Sequence, residues 1–163
     1  MNIFYAVEAN IIMEEVPDFK ALILNDTNIF DFFETIFIYE SEKDAAETKN
    51  LLLEAGLFEN QFELILSPPG VIGDTFTDFG FITNTHTFLL KEMVCGFSIS
   101  GGANEAIQMA LFQLEEHLIF KTEIENAAIY FVEHHLKDLV KGIANAYDIE
   151  VSFFELDKQR KKI

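Results

Sequence analysis

The sequence has no tryptophan, one cysteine, three prolines and, before its last six residues, no arginine. A single cysteine forms no intrachain disulfide, which sets aside the disulfide-stapled secreted class. That residue, Cys95, lies in the apolar stretch "MVCGF", where a thiol reads as packed rather than reactive. Long apolar runs are also missing. The longest is "AAIYFV" (Ala127–Val132), far short of the roughly 20 residues of a membrane span. The first residues, "MNIFYAVEAN", lack a basic region and carry Glu8, so no signal peptide is expected. These absences point to a cytosolic protein.

Positive charge is the scarcest commodity. There are 28 acidic residues and 11 basic ones, and four of the basic ones crowd into the terminal "KQRKKI" (Lys158, Arg160, Lys161, Lys162). Residues 1–157 therefore set 28 carboxylates against seven lysines, an excess of 21 negative charges. Nucleic-acid binding through phosphate contacts needs a basic surface, so that class is excluded for the body of the chain. Anionic membrane surfaces are disfavoured for the same reason. A field of this sign speeds encounter with a basic partner. It also keeps a chain with 18 phenylalanines in solution.

Half of the 163 residues are apolar, too many for a disordered chain and enough for one core. "NIFYAVEANIIM" (2–13) reads as a strand, broken by Pro17, with "FKALIL" (19–24) as a second. "IFDFFET" reads as one or two helical turns. "IFIYE" (36–40), a helix opened by Ser41-x-x-Asp44 and closed at Gly56, and "FELIL" (62–66) form a βαβ crossover with parallel strands. "SPPGVIGDTFTD" (67–78) is irregular. "FGFITNTHTFLL" (79–90) and "MVCGFSIS" (93–100) read as an antiparallel hairpin. Apolar spacing then predicts helices over 104–119 and 123–147, the second opened by the capping box Thr122-x-x-Glu125. "DIEVSFFEL" (148–156) closes the fold as a strand. The expected fold is a single α+β domain over residues 1–157. It has a mixed sheet of about six to seven strands, one βαβ crossover and two C-terminal helices on one face. Residues 158–163 form a short basic tail, expected to fray.

"GDTFTD" (73–78) resembles the acidic loop with which haloacid-dehalogenase phosphatases hold Mg²⁺. That chemistry also needs an aspartate nucleophile after the first strand and a lysine to steady the phosphate. Here Glu8-x-Asn10 stands where Asp-x-Asp would be, and no lysine lies between Lys49 and Gly73. The resemblance covers six residues, and Asp74 and Asp78 read as a solvated acidic loop. Gly101–Asn104 reads as a turn and helix cap, since Glu105 would repel an anion there. Of the four histidines, His134 and His135 are adjacent and cannot share a metal. His86 reads as a strand histidine bonded to its neighbours, the alternative being a pairing with Cys95. No catalytic residue, cofactor or metal ligand is assigned.

The expected function is that of a non-enzymatic acidic binding protein that neutralises a basic partner. Its class would be an immunity protein against a nuclease toxin, or a phage-encoded inhibitor that mimics nucleic-acid charge. The partner-binding candidates are Glu40, Glu42, Asp44 and Glu47 with Phe33, and then Asp74 and Asp78. Two other classes stay open. One is a structural or assembly subunit that homo-oligomerises. The other is a small enzyme or ligand-binding domain with an unmarked site near Gly101–Asn104 or His86.

Overall fold

The computed structural model describes residues 1–154; the basic tail lies outside them. The α+β class holds, but the strands fall into two antiparallel sheets, of six and five strands, rather than one mixed sheet. The described residues divide into two compact units, 1–66 with 81–88, and 67–80 with the residues from 89 onward.

In the first unit, β1 (Asn2–Ala9) is central. It pairs antiparallel with β3 (Ile36–Tyr39) on one side and β4 (Phe58–Ser67) on the other. β3 and β4 therefore run parallel, as the crossover reading requires, but β1 lies between them. The helix of that crossover, α2 (Glu42–Glu54), buries Ala45, Thr48 and Leu52 at helical spacing. Ser41 caps it, accepting from the Asp44 N–H at 3.1 Å. Gly56 ends it in the left-handed region (φ +71°). Leu57 N–H donates to the Leu52 carbonyl and Gly56 N–H to that of Leu53, which is the Schellman arrangement.

Two readings fail nearby. "FKALIL" is not a strand but part of α1 (Pro17–Asp26). Pro17 sits at its first position, where the missing N–H costs nothing and φ is already helical. "IFDFFET" is not helical. Asp31–Phe33 form β2, joined to β3 by Glu34 and Thr35, with Glu34 at φ +52°. α1 and α2 cover one face of the sheet, burying Val7, Ala9, Met13, Ile23, Phe37 and Leu52. Tyr39 is buried among them, and its hydroxyl is met by Thr27 and by the fully buried Thr48.

The expected strand 79–90 is three pieces: α3 (Phe76–Phe79), β6 (Gly80–Ile82) and β7 (Thr87–Leu90), with loop 83–86 between the strands. The sheet order is β2-β3-β1-β4-β7-β6. β8 (Val94–Gly101) belongs to the other sheet, so β7 and β8 are not a hairpin.

The second unit holds the five-stranded sheet and α4 (Asn104–Leu114) and α5 (Lys137–Ala146). The helix expected over 123–147 exists only from Lys137. Before it lie β9 (Phe120–Ile124) and β10 (Ala127–Glu133), an antiparallel hairpin. Its two loop residues, Glu125 and Asn126, both have positive φ (50° and 66°), the signature of a type I′ turn. Thr122 therefore points into a sheet and caps nothing. β5 (Gly70–Ile72) forms one edge and β11 (Glu150–Phe153) the other, in the order β11-β8-β10-β9-β5. Both helices do cover one face, as expected, burying Cys95, Phe97, Leu114, Tyr130, Val132 and Val140. Ala110 and Ala144 are the small buried residues where α4 and α5 meet.

Candidate functional site

The first expected binding surface surrounds the start of α2. Glu40, Glu42 and Glu47 are exposed. Asp44 is engaged internally. Its Oδ2 accepts from Ser41 Oγ at 2.8 Å and Asn28 Nδ2 at 3.0 Å, and these two bonds hold its carboxyl below the usual range. Glu42 and Asp44 also face the positive end of the helix dipole. Phe33 is half-buried and stacks on Phe81, with ring centroids 4.8 Å apart. Of this set, Glu40, Glu42 and Glu47 offer charge to a partner, while Asp44 and Phe33 have structural work as well.

A second cluster in this unit is built on His86, which the sequence marks but which lies in the loop 83–86 rather than on a strand, and whose partner Asp31 the sequence does not reveal. His86 Nδ1 lies 2.6 Å from Asp31 Oδ2 and 2.8 Å from Thr85 Oγ1. Thr83 Oγ1 donates to the same Asp31 oxygen at 2.6 Å. The imidazole packs on the Phe30 ring at 4.7 Å, which in turn meets Phe4 and Phe88. Burial raises the Asp31 carboxyl, but the Thr83 and His86 hydrogen bonds outweigh it and its pKa is lowered. Asp31 comes from β2 and His86 from the loop before β7, so the pair fastens two sheet edges. The run "TNTHT" was a visible signal, but its partner lay in a segment read as helical.

Cys95, the other half of the weighed His86 pairing, is buried under α4 and α5. Burial pushes its thiol pKa up, against the weaker pull of Lys137 and Lys141. An unreactive thiol is what such a setting produces.

In the second unit, Asp74 and Asp78 are both exposed. They do not share a loop, however: Asp74 lies in the turn after β5 and Asp78 in α3, and this segment is pinned from below. Gly73 N–H donates to the Ile119 carbonyl at 2.8 Å, and the buried Phe76 packs on Phe120 at 5.6 Å. Among the described residues no group of three or more His, Cys, Asp or Glu side chains is placed to hold a metal.

Beside this segment is a groove of about 320 Å³ between β5, Asp74 and the end of α4. Its walls include Val71, Ile72, Asp74, Glu115, Glu116 and Lys121. Val71 and Ile72 are 69% and 53% exposed although they lie in a strand. The Lys121 ammonium is drawn over the Tyr130 ring at 5.5 Å. Of this set the sequence marks Glu115 and Glu116 as an acidic pair, and only Asp74 as a binding candidate.

No protein-family model, curated protein or solved structure matches the chain. Function must therefore be argued from the residues themselves. Among the described residues no helix is long and apolar enough to cross a membrane.

Proposed function

We propose that this is a non-enzymatic binding protein that neutralises a basic protein partner, with a nuclease toxin as the partner class its charge suits best. The observation that carries the proposal is the distribution of charge. Exposed carboxylates occur in both units, at Glu40, Glu42 and Glu47 and at Asp74, Asp78, Glu115 and Glu116. Five of the seven lysines before the tail sit over aromatic rings: Lys20 on Phe32, Lys49 on Phe58, Lys121 on Tyr130, and Lys137 and Lys141 on Phe153. Such placements gain cation–π energy; Lys20 also pairs with Glu14 at 2.8 Å and Lys141 with Asp138 at 3.6 Å. A nuclease binds its substrate through a basic cleft, and carboxylates presented on a folded surface can occupy it in place of phosphates.

The test is inhibition. A panel of purified basic nucleases is assayed with and without the protein. Stoichiometric inhibition of one member, lost on Glu40→Lys/Glu42→Lys/Glu47→Lys or on Asp74→Lys/Asp78→Lys, supports the reading. A panel that is neither bound nor inhibited at low salt contradicts it.

One observation favours a second reading, a small enzyme. The Asp31–His86 pair fixes an imidazole by its Nδ1, the arrangement used to orient a general base. A hydrolytic or transfer activity abolished by His86→Ala, with the fold intact, would replace the binding reading.

A further inference from the structure

The groove beside β5 unites three features that bear on how such a partner is held. Among the described residues β5 is the outermost strand of its sheet and pairs on one side only, with β9. Edges of this kind accept an extended segment from another chain. Apolar side chains stand out on β5 and on the neighbouring helix. Val71 and Ile72 line the groove from β5, and on α4, outside that lining, Phe112 is 74% exposed and Met109 54%. Phe112 lies three and four residues before Glu115 and Glu116, so all three share one face of the helical segment. The third feature is charge. Asp74, Glu115 and Glu116 rim the groove. Lys121 is turned over Tyr130, and His117 Nε2 lies 3.5 Å from Glu116.

The groove is also built. At Gly70 an added Cβ would lie 2.1 Å from the Lys121 carbonyl oxygen, and at Gly73 2.1 Å from that of Leu118. Only glycine lets β5 and its loop lie this close to β9. Thr122 Oγ1 holds the preceding segment by donating to the Pro68 and Pro69 carbonyls, at 3.2 and 3.0 Å. The exposed Val71 and Ile72 are thus carried on an anchored strand.

We infer that this groove is a docking site for an extended, basic segment of a partner protein. Apolar side chains of that segment would rest on Val71 and Phe112, with lysines or arginines between them facing Asp74, Glu115 and Glu116. Charge selects the occupant. Residues 1–157 of a second copy would bring their own negative excess to a negative rim, whereas a cationic segment gains Coulomb energy and loses apolar exposure together. The inference rests on the binding-protein reading above and adds the place and the recognition chemistry.

Three nine-residue peptides test it by ¹⁵N chemical-shift mapping. The first alternates lysine with leucine, the second replaces lysine by glutamate, and the third replaces leucine by serine. The expected result is movement of resonances at 70–74, 112 and 115–121 with the first peptide, none with the second, and roughly tenfold weaker binding of the third at the same resonances. Asp74→Lys/Glu115→Lys/Glu116→Lys should weaken the first peptide by about tenfold or more. Phe112→Ser, a change at an exposed position, should weaken it severalfold with the spectrum otherwise intact. Glu42→Lys/Glu47→Lys should leave it within about twofold at physiological salt. Shifts centred on 40–47, or no binding of the first peptide, overturn the groove assignment whatever the nucleases do. Failure of the nuclease panel as well removes the parent reading. Sedimentation showing self-association through the same resonances assigns the groove to a second copy and also overturns the inference.

Discussion

His86 Nδ1 and Asp31 Oδ2 are 2.6 Å apart although 55 residues separate them in the chain. Asp31 is mostly buried, its side chain 13% exposed, and Thr83 donates to the same oxygen. Its carboxyl pKa is lowered in the fold. A depressed carboxylate binds its proton more weakly folded than unfolded, so its contribution is full above the unfolded value. That contribution is lost as pH falls through the folded one. Asp31→Asn should destabilise by about 1–3 kcal/mol at neutral pH. The loss should shrink in acid, flattening the acid limb of stability against pH. Urea unfolding from neutral to acid pH checks this; a constant difference would contradict it.

Glu8 has the opposite sign. Burial in β1 raises its carboxyl pKa, and repulsion from Glu59 adds to this. Stability is therefore lost as pH rises from the unfolded value through the folded one. Glu8→Gln should stabilise the protein at neutral pH and lose that advantage below the unfolded value. Thermal melting on the two sides of that window reads the difference.

Thr48 has no exposure, and its hydroxyl bonds to the Tyr39 hydroxyl inside the α1–α2 core. Tyr39→Phe leaves the Thr48 donor to find another acceptor and should cost about 1–2 kcal/mol. Tyr39→Phe with Thr48→Val removes both polar groups and should recover part of the loss. Additive costs in the double-mutant cycle would show that the pair is not coupled.

Two glycines separate close approach from helix propensity. Gly73→Ala places a Cβ against the Leu118 carbonyl and should cost roughly 1–3 kcal/mol, with amide protection lost at 70–73. Gly142 lies inside α5 with nothing within 4 Å of an added Cβ. Gly142→Ala should stabilise by about 0.5–1 kcal/mol. Denaturant midpoints of the two variants should move in opposite directions.

Where the local signals agreed, the sequence was legible. Ser41, Asp44 and Gly56 bounded α2 correctly, and the flanking strands are parallel as a crossover demands. The insertion of β1 between them is a long-range pairing that spacing cannot reveal. Residues 120–133 misled because Ile124, Ala128 and Phe131 fit a helical stripe as well as a strand, and Thr122 with Glu125 imitated a capping box. The decisive residues were Glu125 and Asn126, whose positive φ makes the hairpin turn, with the β-branched and aromatic "AIYFV" behind them. The Asp31–His86 cluster was hidden because β2 had been read as helical turns. Of the groove, the charge of Asp74 was visible. The exposure of Val71 and Phe112 was not, since an apolar residue in a sequence carries no sign of which side it faces.

The most direct test of the central claim is the affinity for a basic nuclease from the panel, measured from about 50 to about 500 mM salt. A charge-mimicking binder should weaken steeply and continuously over that range, mainly through a slower association rate. Binding that is unchanged across it, or absent at the low-salt end, would contradict the account.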